Sequence, residues 1–323
     1  MNSPILIALF GLIALALHVT VLAIGAPWLL GYSRCLQARL QGRRGPPTLQ
    51  VFRDLTRLWR KESMLAENAS SVSQIAPLVV FAASATAALL VPSFALGLST
   101  GPASDLILIA GLFSLSRAAS ALAAMDVGNW FGGLGVSREF LLAFFAEPVL
   151  LLVFFTLNLV AGSTNLDHIA ELLRTGVLGL RLSLGLALAA MITVALTEMG
   201  RLPIGNPSTH LEVTMLHEAE TLEFSGRELA FIEAAAMLRF FTWLALLAAI
   251  FAPFGIAPAA SPFDWPLGLL SFGAKMLLLA TALVFFEAGV ARMRIFRVPE
   301  LLGIALMLSM LAVLFLFVSE GYT

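Results

Sequence analysis

Five carboxylates and two imidazoles crowd one short stretch of this chain. Glu198, Glu212, Glu218, Glu220 and Glu223 fall within 26 residues, with His210 and His217 among them. If the stretch after Pro207 is helical, His210 and His217 lie two turns apart on one face. Glu220 and then Glu223 continue that face at i+3 spacing. Crowded carboxylates raise one another's pKa and histidine titrates near neutrality, so such a file could exchange protons at physiological pH. The plainer alternative is a hydrated loop whose acids only offset nearby arginines. A metal site from His210, His217 and Glu218 is disfavoured, because the spacing matches no H-E-x-x-H or related ligand set. Just beyond, Ser225-Gly-Arg-Glu228 reads as a capping box opening a helix.

Six further charges stand inside long apolar runs: Arg117, Glu147, Glu233, Arg239, Lys275 and Glu287. Each costs about 2.5–3.5 kcal/mol at the centre of a membrane span. Glu233 and Glu287 lie near span ends and could partly snorkel. Arg117, Glu147 and Lys275 lie deeper, where an ion-path role is weighed against a static buried pair. Pro148 follows Glu147 and removes a helical donor one turn back, giving a kinked spot beside a carboxylate. His18, alone in its span, is read as a satisfied core or lumenal histidine and not as a haem ligand. Gly132-Gly-Leu-Gly135 reads as a turn, with Ser137 as N-cap of the next span. There is no G-x-x-x-x-G-K-[ST] and no nucleophile–base set, so no catalytic residue and no redox chemistry of its own is expected.

These groups need apolar helices to hold them, and the composition supplies little else. Of 323 residues 59% are hydrophobic and 12% charged, about half the charged fraction of a soluble domain. Mean hydropathy is +0.95. A soluble globular enzyme, a disordered chain and a one-helix anchor with a large soluble domain are all excluded. A net charge of −1 gives no bulk basicity for nucleic acid. The single cysteine, Cys35, permits neither an intrachain disulfide nor an iron–sulfur cluster held by this chain.

Eight runs are long enough to cross a bilayer: 5–30, 75–92, 106–125, 140–161, 176–196, 229–252, 267–290 and 301–318. Each is continuously apolar rather than alternating, which predicts helices and not barrel strands. The expected fold is all-α, a polytopic integral membrane protein of about eight transmembrane helices in one membrane domain, 1–323. No basic residue precedes the first run, as a cleaved signal would require, so that span is expected to be retained. Loops between odd and following even spans hold 14 of the 19 basic residues and the opposite loops hold 2. By the positive-inside rule the basic loops are cytoplasmic and both termini lie outside.

Polar sequence gathers in two of those loops, a basic one at 31–73 and the acidic one at 198–228. Within the first, Phe52, Leu55, Leu58 and Trp59 share one helical face, away from Arg53, Arg57, Arg60 and Lys61. Such an amphipathic helix suits anchoring to anionic lipid, docking of a soluble partner, or both.

Two motifs carry a resemblance. Arg43-Arg-Gly-Pro-Pro-Thr-Leu-Gln50 leading to Leu58-Trp-Arg-Lys-Glu62, together with the stretch 198–227, resembles the membrane subunit shared by respiratory complex I (subunit 1 of the mitochondrial enzyme) and the group 4 nickel–iron hydrogenases. Asn206-Pro-Ser-Thr-His-Leu-Glu-Val-Thr-Met-Leu-His-Glu-Ala with Leu222-Glu-Phe-Ser-Gly-Arg227 is most similar to the hydrogenase-4 and formate hydrogenlyase branch. The resemblance covers nearly the whole chain. Glu198, Arg201 and Pro203 match the opening of that family's acidic loop, and Glu223-Phe-Ser-Gly its close. Gly205 and Asn206 stand where the quinone-type pattern has an acid, and His210 where it has another, while Glu212 keeps one. The loop is also a few residues longer, and these departures favour the hydrogenase-type branch.

The resemblance implies a subunit that docks a peripheral electron-transfer arm and couples it to proton translocation. Docking would use Arg43, Arg44, Arg53, Arg57, Arg60, Lys61 and Arg201. Protons would pass Glu198, Glu212, His217, Glu220 and Glu223, then Glu147 with Lys275 and Arg117 as charge partners. Expected partners are a hydrogenase-like large subunit and iron–sulfur subunits on the cytoplasmic side, and antiporter-like membrane subunits beside it. Nickel–iron and iron–sulfur clusters belong to those partners, with no cofactor in this chain. The location implied is the cytoplasmic membrane of a bacterium or archaeon. The rival readings are the quinone-binding membrane subunit of an NADH:quinone oxidoreductase and a stand-alone ion transporter. No inverted-repeat symmetry favours the transporter.

Overall fold

A computed structural model describes residues 4–66, 68–175, 182–201, 220–259, 261–290 and 297–321. In hydrocarbon the backbone must satisfy its own polar groups, so each long apolar run closes into a helix. The described helices are α1 Pro4–Leu40, α2 Gln50–Trp59, α3 Ser71–Leu90, α4 Leu106–Asp126, α5 Trp130–Ala161, α6 Leu166–Arg174, α7 Leu182–Glu198, α8 Gly226–Phe251, α9 Trp265–Gly289 and α10 Val298–Gly321. Among the described residues, seven helices are long and apolar enough to cross a membrane: α1, α3, α4, α5, α8, α9 and α10. The eighth expected span is α7, with 17 residues; residues 176–181, expected to complete it, lie outside those described. The chain is an all-α, multi-pass membrane protein.

Helix α8 runs through the middle of the bundle, packed on α3 and α1, and its second half is buried almost residue by residue. On the other side of α3 lies α4, which also meets α5, and α10 packs on both α5 and α7. Helix α9 lies against α1 and α8. His18 is fully buried in the core and its Nδ1 lies 2.7 Å from Ser93 Oγ, but it is only half satisfied: Nε2 has no hydrogen-bond partner among the described residues.

Apart from these spans the two ends of the bundle are built differently. At one end a parallel pair, β1 Ala95–Leu96 and β2 Ala257–Pro258, joins loops far apart in sequence. Around it polar groups close on backbone. Asp105 caps α4 by accepting from Ile107 N at 2.7 Å and also accepts from Thr164 Oγ1 at 2.8 Å. Asn165 caps α6, Asp167 accepts from Gly97 N at 2.9 Å, and Arg174 donates to the Ile256 carbonyl at 3.0 Å.

The other end carries α2 and the basic loop. Val51 of α2 is buried and Trp59 meets Phe231 of α8 edge-on at 5.1 Å. The apolar face of α2 thus lies on the bundle, while Arg43, Arg44, Arg53, Arg57, Arg60 and Lys61 are exposed. Asp126, at the end of α4, accepts from the Ser70 and Ser73 hydroxyls at 2.6 Å each, tying α4 to the start of α3.

Three local expectations are corrected here. The stretch Gly132 to Gly135 is helical, because α5 begins at Trp130; a Cβ at Gly132 would collide with the Ala124 carbonyl, so glycine lets α5 approach α4 closely. Ser137 therefore caps nothing and donates to the Leu134 carbonyl within the helix. Ser225 does precede α8, but its hydroxyl makes no capping bond. It accepts from Met64 N at 2.8 Å and donates to Met64 O at 2.9 Å, joining the basic loop to the acidic one.

Candidate functional site

The apolar core of the basic half encloses a cluster of ionisable side chains. Helix α4 supplies Ser114, Ser116 and Arg117, with spacings that put Ser114 and Arg117 on neighbouring turns. On α5, Glu139 and Glu147 are eight residues apart, a little over two turns, so both can reach the same neighbour. Glu198 is the last residue of α7.

Arg117 is the hub. Its side chain is 5% exposed and its three nitrogens serve three carboxylates on two helices. Nη1 donates to Glu147 Oε1 at 2.7 Å, Nη2 donates to Glu198 Oε1, and Nε lies 3.4 Å from Glu139 Oε1. Ser114 Oγ donates to the same Glu147 oxygen at 2.9 Å. A planar guanidinium carries five donors in a fixed fork, which suits it to several acceptors at once. Arg239 of α8 joins from the other side. Its Nη2 donates to Ser116 Oγ at 3.1 Å, which in turn lies 3.1 Å from Ser84 Oγ. Glu198, Glu139 and Glu220 all lie within electrostatic reach of it.

Glu220 links this cluster to the acidic loop. It is 5% exposed and its Oε1 has no hydrogen-bond partner among the described residues. Burial first, and then the like charge of Glu139, push its carboxyl up to about 7, against the Ser120 hydroxyl and both guanidiniums. Four carboxylates, Glu139, Glu147, Glu198 and Glu220, therefore share two cations, Arg117 and Arg239. Such a cluster can lodge a proton near neutral pH.

The structure thus brings together Glu147, Glu198, Glu220 and Arg117 from the sequence-derived set. Glu223 stands apart, accepting from Asn129 Nδ2 at 2.6 Å. The helical hydrogen bonding around Glu220 ends at Thr221, where Phe224 N turns back onto the Thr221 carbonyl ahead of α8. Glu220 and Glu223 consequently do not continue one helical file. Glu212 and His217 lie outside the described residues.

Lys275 is not a partner of Glu147. It sits on α9, which packs on α1 and α8 rather than on α5, and its ammonium donates to the Phe254 carbonyl and lies 4.8 Å from that ring's centre. Arg201 differs from the exposed basic residues of the first loop in being mostly buried. Gly200, at φ +62°, ends α7 in the left-handed conformation, and its neighbour Arg201 lies 3.6 Å from Glu287 Oε1 and 4.9 Å from the centre of the Phe240 ring. With 17% of its side chain exposed, burial pulls the guanidinium below its usual pKa, Glu287 opposes that and Arg34 adds to it. Glu287 is correspondingly buried and paired instead of snorkelling.

Sequence reasoning misses two members of the cluster as site residues. Glu139 falls just outside its expected span, which begins at residue 140, and its eight-residue spacing from Glu147 is the available signal. Arg239 is legible as an intramembrane charge, but nothing in the sequence connects it to this group.

Comparison with known proteins gives a consistent result. Residues 12–318 match a family described as NADH dehydrogenase. The chain is similar to formate hydrogenlyase subunit 4 of Escherichia coli (strain K12), 30% identical over 285 residues that cover 88% of this chain and 92% of that protein. It is also similar to hydrogenase-4 component C of the same strain, 32% identical over 278 residues, 86% of this chain and 85% of the relative. Among solved structures, a chain of the membrane-bound sulfane sulfur reductase, an archaeal respiratory membrane complex, superposes with a TM-score of 0.75 at 19% identity. That match spans 95% of this chain and 99% of the other.

Proposed function

This chain belongs to the NADH dehydrogenase family, as a complex-I-like membrane subunit, and from that premise we propose that it docks a peripheral electron-transfer arm of the hydrogenase-4 or formate hydrogenlyase type and couples it to proton movement. The observation that carries the reading is the surplus of carboxylates around Arg117 and Arg239, reaching from the buried Glu220 at the loop to the half-buried Glu147 within α5. An intramembrane cluster with more acids than bases is costly unless it takes up protons. A change in charge or position at the arm would shift which carboxylate holds them. This is coupling through a two-state electrostatic element.

In this reading the basic end faces the cytoplasm, in the cytoplasmic membrane of a bacterium or archaeon. The exposed Arg43, Arg44, Arg53, Arg57, Arg60 and Lys61 meet the arm, the lipid headgroups, or both. Nickel–iron and iron–sulfur groups reside in the arm's subunits, and antiporter-like subunits receive the protons.

The test uses the whole complex in sealed vesicles. With Glu198→Gln and Glu220→Gln introduced together, electron transfer through the arm should persist while coupled proton movement is lost. Proton movement equal to that of the unaltered complex would overturn the assignment.

A further inference from the structure

A cavity of about 560 Å³ lies where the start of α4 meets the second half of α5, away from the basic loops. Leu106 and Phe154 are buried and form its floor, while Ile107, Leu151 and Phe155 are exposed and form its walls. Its opening therefore faces the bilayer. Pro148 marks the inner limit. Asn158, three residues before the end of α5, and Thr164, just past that end, mark the outer one.

The dimensions select the occupant. Pro148 to Asn158 is about 15 Å of helix, half of a hydrocarbon layer about 30 Å thick and so the reach of one leaflet. Spread over that length, the cavity has a mean cross-section of about 37 Å². A helix about 10 Å across with its side chains needs about 80 Å². A neighbouring helix cannot enter, whereas acyl chains can. Polarity follows the same axis, since the lining is apolar except for Asn158 and Thr164 at the outer end. Asn158 is half-buried, and its carboxamide makes no hydrogen bond among the described residues; hydrocarbon supplies no partner. Thr164 Oγ1 donates to Asp105 Oδ2 at 2.8 Å, which places a carboxylate at the mouth. The lining itself contains no basic residue.

The ligand that fits is an amphiphile with its tail toward Pro148, an acceptor at the Asn158 amide and a positive charge at Asp105. An anionic lipid would set its phosphate against Asp105 with no cation in the lining to offset it. Phosphatidylethanolamine brings its own ammonium. We propose that the pocket binds one aminophospholipid of the leaflet opposite the basic loops. An acyl chain lies along α5 from Asn158 to Pro148, an ester carbonyl accepts from the Asn158 amide, and the headgroup ammonium meets Asp105. The site is separate from the carboxylate cluster around Arg117 and does not rest on the proposed function.

The experiment uses the whole complex in phosphatidylglycerol vesicles with a trace of phosphatidylethanolamine that carries a diazirine midway along one acyl chain. Irradiation should label the α5 segment 148–158 in preference to α10. Replacing half of the phosphatidylglycerol with unlabelled phosphatidylethanolamine should lower that labelling about fivefold, as a headgroup preference of about tenfold (about 1.4 kcal/mol) requires. Asp105→Asn keeps a good helix cap without the charge, and should make the two lipids compete equally. Leu152→Trp, which fills the pocket, should reduce the labelling to the level of α10. Labelling spread evenly over α5 and α10, or unaltered by the added phosphatidylethanolamine, would overturn the proposal.

Discussion

Two groups of acids in this bundle are held in opposite ways. At the capped end Asp105 and Asp167 each accept from a backbone N–H, and Asp105 takes a hydroxyl as well. Each of these two carboxylates closes a helix start or a loop, and its partners are fixed by the chain. In the basic half Glu139, Glu147, Glu198 and Glu220 lean on two guanidiniums, and Glu220 keeps a buried oxygen with no partner among the described residues. Acids with dedicated donors specify structure. Acids that compete for a shortage of cations can exchange protons, and that contrast is the basis for assigning function to the cluster and not to structural acids such as Asp126, which at the basic end accepts from Ser70 and Ser73.

The contrast is broken most directly at Arg117. Arg117→Met would strand buried carboxylates, and removing one partner of such a group costs about 3–5 kcal/mol. The expected outcome is loss of the chain from mild-detergent extracts of the complex, with Arg117→Lys retaining part of the yield. Full yield from Arg117→Met would mean the cluster is not held by that residue.

Next in size is the pH response of Glu220. Its carboxyl is raised from 4.5 to about 7 in the folded chain. The associated stability is fully present below the ordinary value and is lost as pH rises through about 7, on the order of 3 kcal/mol in all. Thermal unfolding of the complex followed from pH 5 to pH 8 should show that fall, and Glu220→Gln should flatten it. A profile that the substitution leaves unchanged would remove Glu220 from the group.

Ser225→Ala should cost about 1–2 kcal/mol, since it deletes two bonds to Met64. Faster amide exchange at Met64 would report the loosened tie between the basic and acidic loops. Smallest is Asp105→Ala at the capped end, about 1 kcal/mol for a lost helix cap. Coupled proton movement should survive it in full, which sharpens the comparison between the two ends.

Much of this architecture was legible in the sequence because hydrocarbon leaves a chain few options. Continuous apolar runs become helices, and seven of the eight expected spans appear among the described residues at full length. Arg117 and Glu147 were readable as intramembrane charges that need partners, with Lys275 named beside Arg117 as a partner for Glu147. What the sequence hid depended on tertiary contact. Glycines at 132, 133 and 135 resemble a turn until Ala124 is seen beside Gly132, and that misplacement moved Glu139 out of its helix. Lys275 and Glu147 both lie inside apolar spans and carry opposite charge, yet they belong to helices with different neighbours. Arg201 resembles its exposed basic neighbours in composition. Only the helix end at Gly200 and the position of Glu287 reveal that it is buried.

The central claim is that the cluster around Arg117 changes its protonation when the peripheral arm turns over. Redox-triggered infrared difference spectroscopy on the whole complex reads protonated carboxyl groups directly. A carboxyl band that appears on turnover, is lost in Glu220→Gln and is shifted in Glu139→Gln is the predicted result. A difference spectrum without any carboxyl change, or one that both substitutions leave untouched, would contradict it.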